Sequence, residues 1–73
     1  MHAETRDLPK AVVPSVLKAV RLLDEIATSR EPVSLGDLCT RLALPKSSTL
    51  SLCTSLTLSG LLRRFDDGTY HLG

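Results

Sequence analysis

Apolar residues recur at helical spacing along most of the chain and give way to strand-like segments near its end. Val16, Leu17, Ala19, Val20, Leu22, Leu23, Ile26 and Ala27 predict a first helix from Val16 to about Thr28, with Ser15 as its N-cap. At about 100° per residue these positions cover an arc of roughly 220°, and Lys18, Arg21, Asp24, Glu25 and Thr28 fill the remainder. One small core does not hide an arc that wide. The flank bearing Ala19, Leu22 and Ile26 is therefore a candidate dimer interface, with cover by the wing or the N-terminal arm as the alternative. Residues 1–13 mix both charges with Pro9, show no period, and read as a flexible arm in which only Val12-Val13-Pro14 packs.

Ser29-Arg30-Glu31-Pro32 is a loop, and Val33 suits a strand of one or two residues. Ser34 with Asp37 three positions on resembles a capping box that opens a second helix, Leu35 to Leu42, with Leu35, Leu38, Cys39 and Leu42 inward. Ala43-Leu44-Pro45 follows at once. Proline is tolerated at a helix start and not inside, so one helix ends before Pro45 and a third begins there. That helix runs to Ser59 and stops at Gly60, with Thr49, Leu52, Cys53 and Leu56 as its core face. Ser47, Leu50, Ser51, Thr54, Ser55 and Leu58 lie opposite. Leu61 to Phe65 and Thr69 to Leu72 are strands joined by Asp66-Asp67-Gly68, a strong hairpin signal. Two short helices around a three-residue turn, then a hairpin, make a mainly α fold: a three-helix winged helix-turn-helix over residues 14–73.

Composition narrows the picture. With 73 residues there is room for one domain, which buries only roughly 60% of its unfolded surface. The aromatic residues are Phe65 and Tyr70, too few for the stacking platforms of single-strand binders. Net charge is +1, so any affinity for nucleic acid must come from local placement. Cys39 and Cys53 sit in core patterns and, with His2 and His71, lack metal-ligand spacing; they read as buried thiols. No Ser/His/Asp arrangement, phosphate-cradling glycine loop or membrane-spanning run is present. The expectation is a non-enzymatic cytoplasmic protein without cofactor or metal.

The outward face of the third helix carries the functional signal. An ordinary solvent-facing helix favours Glu, Lys, Gln and Arg, whereas this one is nearly all Ser and Thr. Lys46 is in its first turn, and no acidic residue occurs between Pro45 and Phe65. Small hydroxyls allow close approach and donate to phosphates or base edges, and the helix N-terminus adds an anion site near Lys46, Ser47 and Ser48. Hydroxyls at a helix start are also routine caps; the helix-turn-helix spacing and the hairpin favour double-stranded DNA. Arg63 and Arg64 point to opposite faces of their strand, so at most one addresses a groove, and a charged, solvated strand edge explains either equally well. Asp66 and Asp67 at the wing tip argue against deep insertion into a minor groove.

Residues Ser15 to Ile26, Leu35-Gly36-Asp37-Leu38, Leu44-Pro45-Lys46-Ser47-Ser48-Thr49, Ser59-Gly60-Leu61-Leu62 and Gly68-Thr69-Tyr70-His71-Leu72-Gly73 together resemble the N-terminal domain of IclR-type transcriptional regulators. The resemblance implies a third helix in the major groove and a homodimer aided by the first helix. It also implies a small-molecule effector that acts only through a C-terminal domain not included in these residues. Where the family commonly has His-Arg, this chain has Leu50-Ser51; losing a base-reading Arg costs about 1–3 kcal/mol, and Leu50 instead suits a thymine methyl. The candidate DNA contacts are Ser34, Lys46, Ser47, Ser48, Thr49, Leu50, Ser51, Thr54, Arg63 and Arg64, with Thr49 mainly core by its periodicity. The reading is sequence-specific binding of an inverted repeat. The alternative is a protein-interaction module that uses Leu50, Leu58 and the first-helix flank.

Overall fold

The computed structural model describes residues 12–73; the arm expected over residues 1–13 lies outside them up to residue 11. Helix α1 spans Pro14–Ala27, with Val13 in extended conformation as its N-cap and Pro14 in the first turn. The fixed φ of proline suits that position, so Ser15 lies inside the helix and does not cap it. Strand β1 is Val33–Ser34 and helix α2 is Leu35–Leu42. The Asp37 N–H donates to Ser34 Oγ at 3.1 Å, the cap that the sequence pattern predicts. Helix α2 ends at Ala43, whose φ of 54° is left-handed, and Leu44 N–H returns to the Cys39 carbonyl at 3.1 Å. A non-glycine residue in that region costs about 1–2 kcal/mol. Ala43 is exposed, and its turn redirects the chain into the next helix.

Helix α3 is Lys46–Leu58, one residue shorter at each end than expected because Pro45 and Ser59 are its caps. Gly60, at φ 86°, makes the stop: Leu61 N–H reaches back to the Leu56 carbonyl at 2.9 Å. The hairpin strands are β2, Leu62–Arg64, and β3, Thr69–Leu72, paired antiparallel with Leu62 opposite Leu72, Arg63 opposite His71 and Arg64 opposite Tyr70. β1 adds to the other edge of β3, Val33 opposite Tyr70, so the expected two-stranded wing is a three-stranded sheet in the order β1-β3-β2. This pairing ties the entry to α2 directly to the wing.

The core contains Leu22, Ile26, Val33, Leu38, Leu42, Cys53, Leu56, Leu62 and Tyr70, with Thr49 as its buried polar member. Leu22 and Ile26 are 0% and 4% exposed, which overturns their assignment to a dimer interface. The physical reason is that α2, α3 and β3 all pack on that side of α1. Ala19 is half-buried at the edge of the same core. The apolar face left in solvent is instead Val13, Val16, Leu17 and Val20, each about half exposed and spaced as one helical stripe. Arg21 Nη2 donates to the Leu42 carbonyl at 3.2 Å, and Arg41 Nη1 donates to Glu25 Oε2 at 3.3 Å and Ser29 Oγ at 2.9 Å, joining α1 to α2. Such exposed pairs contribute at most about 1 kcal/mol each, so burial carries the fold. Accordingly, Leu22→Ala should lower the unfolding free energy by about 2–5 kcal/mol in urea titration, whereas Val16→Ala should change it by less than about 0.5 kcal/mol.

Candidate nucleic-acid interface

Helix α3 divides its side chains sharply. Thr49 and Cys53 are fully buried and Leu56 nearly so, while Lys46, Ser47, Leu50, Ser51, Thr54, Ser55 and Leu58 face solvent. Ser48 is half-buried on the flank toward α1. The hydroxyls divide in the same way. Thr49 Oγ1 donates to the Pro45 carbonyl at 2.9 Å, Thr57 Oγ1 to the Cys53 carbonyl at 2.7 Å, and Ser59 Oγ to the Leu56 carbonyl at 2.9 Å. The hydroxyls of Ser47, Ser48, Ser51, Thr54 and Ser55 have no protein partner among the described residues. Each keeps a donor and an acceptor for something outside the monomer.

The predicted contact residues thus fall into groups. Lys46, Ser47, Leu50, Ser51 and Thr54 form one outward ridge, with Ser48 at its border. Thr49 does not belong to it: its side chain is 0% exposed and its hydroxyl is bound to Pro45, so it is a core residue. Ser34 is half-buried and serves as the cap of α2. Arg63 and Arg64 are both exposed on adjacent positions of β2. The Arg64 guanidinium lies beside Gly68 at the wing turn. Arg63 shares its face with His71, whose ring centroid is 5.9 Å from that of Phe65. At the wing tip, Asp67 Oδ1 accepts hydrogen bonds from the Thr69 hydroxyl at 2.6 Å and the Thr69 N–H at 3.0 Å. These bonds hold the carboxyl below its ordinary range, so their support of the turn is present above that range and is lost as pH falls through the lowered value. The wing tip therefore stays anionic at neutral pH.

One feature lacked a sequence signal. Ser15 and Lys18 on α1 lie beside Ser48, Ser51 and Ser55 on α3, around a shared cleft. Periodicity assigns faces within a helix and says nothing of which polar residues two helices bring together.

Cys53 is buried and Cys39 half-buried, both as free thiols. Burial first, and then the neighbouring Cys39, push the Cys53 thiol up to about 11. A raised value means that the neutral thiol is favoured in the folded protein. Its contribution to stability is complete below the ordinary value of 9.0 and is lost as pH rises through about 11. Among the described residues no group of three or more His, Cys, Asp or Glu side chains is placed to hold a metal ion. His2 lies outside those residues. No described helix is long and apolar enough to cross a membrane.

A short helix, a tight turn, a second helix with an open polar face, and a hairpin joined to a third strand define a winged helix-turn-helix, a class of DNA-binding domain. The model of the IclR helix-turn-helix domain matches residues 15–65, and the chain belongs to that family of transcription regulators. Among solved structures it is similar to the Agobacterium tumefaciens repressor BlcR, with 40% identity and a TM-score of 0.78 over 85% of this chain and 25% of that one. It is also similar to an IclR homolog from Microbacterium hydrocarbonoxydans complexed with 4-hydroxybenzoate, with 30% identity and a TM-score of 0.73 over 81% of this chain and 25% of that one. An IclR homolog from Microbacterium sp. strain HM58-2 gives 30% identity and a TM-score of 0.71 with the same coverage. The chain spans about a quarter of the length of these three proteins. No curated protein gives a match.

The two thiols provide a check on how α3 is seated. At pH 8, iodoacetamide should modify Cys39 first. Cys53 should react on the order of 100-fold more slowly, and both should react alike in denaturant. Equal rates in the native protein would show that the Cys53 face of α3 is open.

Proposed function

We propose that this chain is the operator-reading domain of a transcriptional regulator that binds duplex DNA sequence-specifically as a symmetric dimer. Helix α3 enters the major groove. The observation that carries this reading is the outward ridge of α3, whose hydroxyls make no hydrogen bond among the described residues and which bears no carboxylate. Lys46 and the start of the helix address a backbone phosphate. Ser47, Ser51 and Thr54 donate to base edges or phosphates, and Leu50 packs on a thymine methyl. Of the wing cations, Arg63 is the better placed for phosphate, because Arg64 folds toward its own turn.

The stripe of Val13, Val16, Leu17 and Val20 serves as the dimer contact in place of Leu22 and Ile26. Two copies joined there present recognition helices one DNA turn, about 34 Å, apart. The reading sets the protein in the cytoplasm with its DNA. It assigns any small-molecule effector to a part of the regulator beyond these residues, as the 4-hydroxybenzoate-bound relative suggests.

In vitro selection from a random duplex pool should return an inverted repeat with half-site centres about one helical turn apart. The double substitution Ser47→Glu and Ser51→Glu should weaken binding to the selected duplex at least about 100-fold, through repulsion of the polyanion. No enrichment from the pool, or undiminished binding by the double variant, would reject the reading.

A further inference from the structure

Beside the ridge, the first turns of α1 and the flank of α3 enclose a cleft of about 350 Å³, lined by Ser15, Lys18, Ser48, Ser51, Leu52 and Ser55. Its chemistry is one-sided. It offers one ammonium and four hydroxyls and no carboxylate. Lys18 is half-buried, yet it pairs with no acidic residue among the described residues. The four serine hydroxyls make no hydrogen bond within the described residues, unlike those of Thr49, Thr57 and Ser59. Helix α1 also begins without a side-chain cap and without an acidic residue in its first turn, which leaves its positive end toward Ser15.

The position of the cleft identifies its occupant. Ser51 belongs both to the ridge and to the cleft wall, so the cleft flanks the surface proposed to face the bases. A helix with side chains is about 10–12 Å across, and the major groove is about 12 Å wide. A helix lying in the groove therefore has a wall of phosphates along each flank. On the flank toward α1, that wall meets Lys18 and the four hydroxyls.

Resting on the duplex-binding reading above, we propose that the cleft between α1 and α3 is a binding site for one backbone phosphate of the duplex. Lys18 supplies the cation, and Ser15, Ser48, Ser51 and Ser55 supply hydrogen-bond donors to the non-bridging oxygens. The contact carries no sequence information; it fixes the depth and rotation of α3 in the groove. It also explains how a chain of net charge +1 holds a polyanion: α1 contributes Lys18 to the contact in addition to Lys46 at the start of the recognition helix.

The test uses the 73-residue chain and fluorescence anisotropy on the selected duplex and a scrambled one, from low to moderate salt. Lys18→Gln should weaken both duplexes by the same factor, on the order of tenfold, and reduce the slope of log K against log salt by about 0.9 for each cleft. Lys18→Arg should restore the slope, and Ser55→Ala should weaken both duplexes alike by a smaller factor. If the parent chain prefers no duplex, the duplex reading itself fails. If it binds but Lys18→Gln leaves affinity and slope unchanged, only the phosphate site is overturned. A loss confined to the selected duplex would also overturn it, because that pattern marks base readout. Amide spectra recorded with inorganic phosphate separate the sources: phosphate shifts at Ser15 and Ser55, with an unchanged duplex slope in Lys18→Gln, mean a free-anion site and reject the duplex assignment.

Discussion

Thr49, Cys53 and Leu56 seat α3 in one core with Leu22, Leu38 and Leu62, and the rotation fixed by that contact determines everything on the outside. Successive residues are turned by about 100°, so a slip of one position would carry hydroxyls of the ridge into the core and expose the buried side chains. Two of the three seat residues, Thr49 and Cys53, are small. Thr49 brings a hydroxyl into the interior, and its hydrogen bond to the Pro45 carbonyl removes the cost of an unmatched polar atom. Cys53 remains a neutral thiol for the same reason of burial. Small hydroxyls on the outer face allow close approach by whatever docks there.

The sheet extends this constraint to the wing. β1 consists of Val33 and Ser34, yet it pairs with Tyr70 and Thr69, and Ser34 then caps α2. One short segment thus connects the hairpin to the first helix of the helix-turn-helix. Tyr70 is buried under this junction, which makes the wing part of the core and not an appendage. The charges are arranged locally as well. Lys46 starts the carboxylate-free ridge and Lys18 lines the cleft beside it, while Asp66 and Asp67 stand at the wing tip and Asp24, Glu25 and Asp37 on α1 and α2. Net charge hides this separation.

Much of the fold was legible because local chemistry and packing agree. Pro45 and Gly60 bracket α3, Ser34 and Asp37 open α2, and Asp67-Gly68 turns the hairpin, each through a backbone requirement readable from neighbours. The two faces of α3 were legible for the same reason. What failed depends on contacts distant in sequence. The wide apolar arc of α1 gave no means of telling which flank the core would take; α2, α3 and β3 cover Leu22 and Ile26 and leave Val16, Leu17 and Val20 outside. Ser15 looked like a cap, but the preceding Pro14 already occupies the first turn. The short strand at Val33 was legible, but its pairing with Tyr70, far along the chain, was not. The cleft joining Lys18 to the α3 serines likewise arises only when two helices meet.

The account rests on the hydroxyl ridge of α3 being the surface that meets duplex DNA. The most direct measurement is a titration of the isotope-labelled 73-residue chain with a selected duplex, followed by its amide resonances. The largest shifts should fall on Lys46 to Thr54, with smaller ones at the Arg63 strand and little change at Leu22 or Leu38. Shifts confined to the Val16–Val20 stripe or the wing tip, with α3 silent, would contradict it.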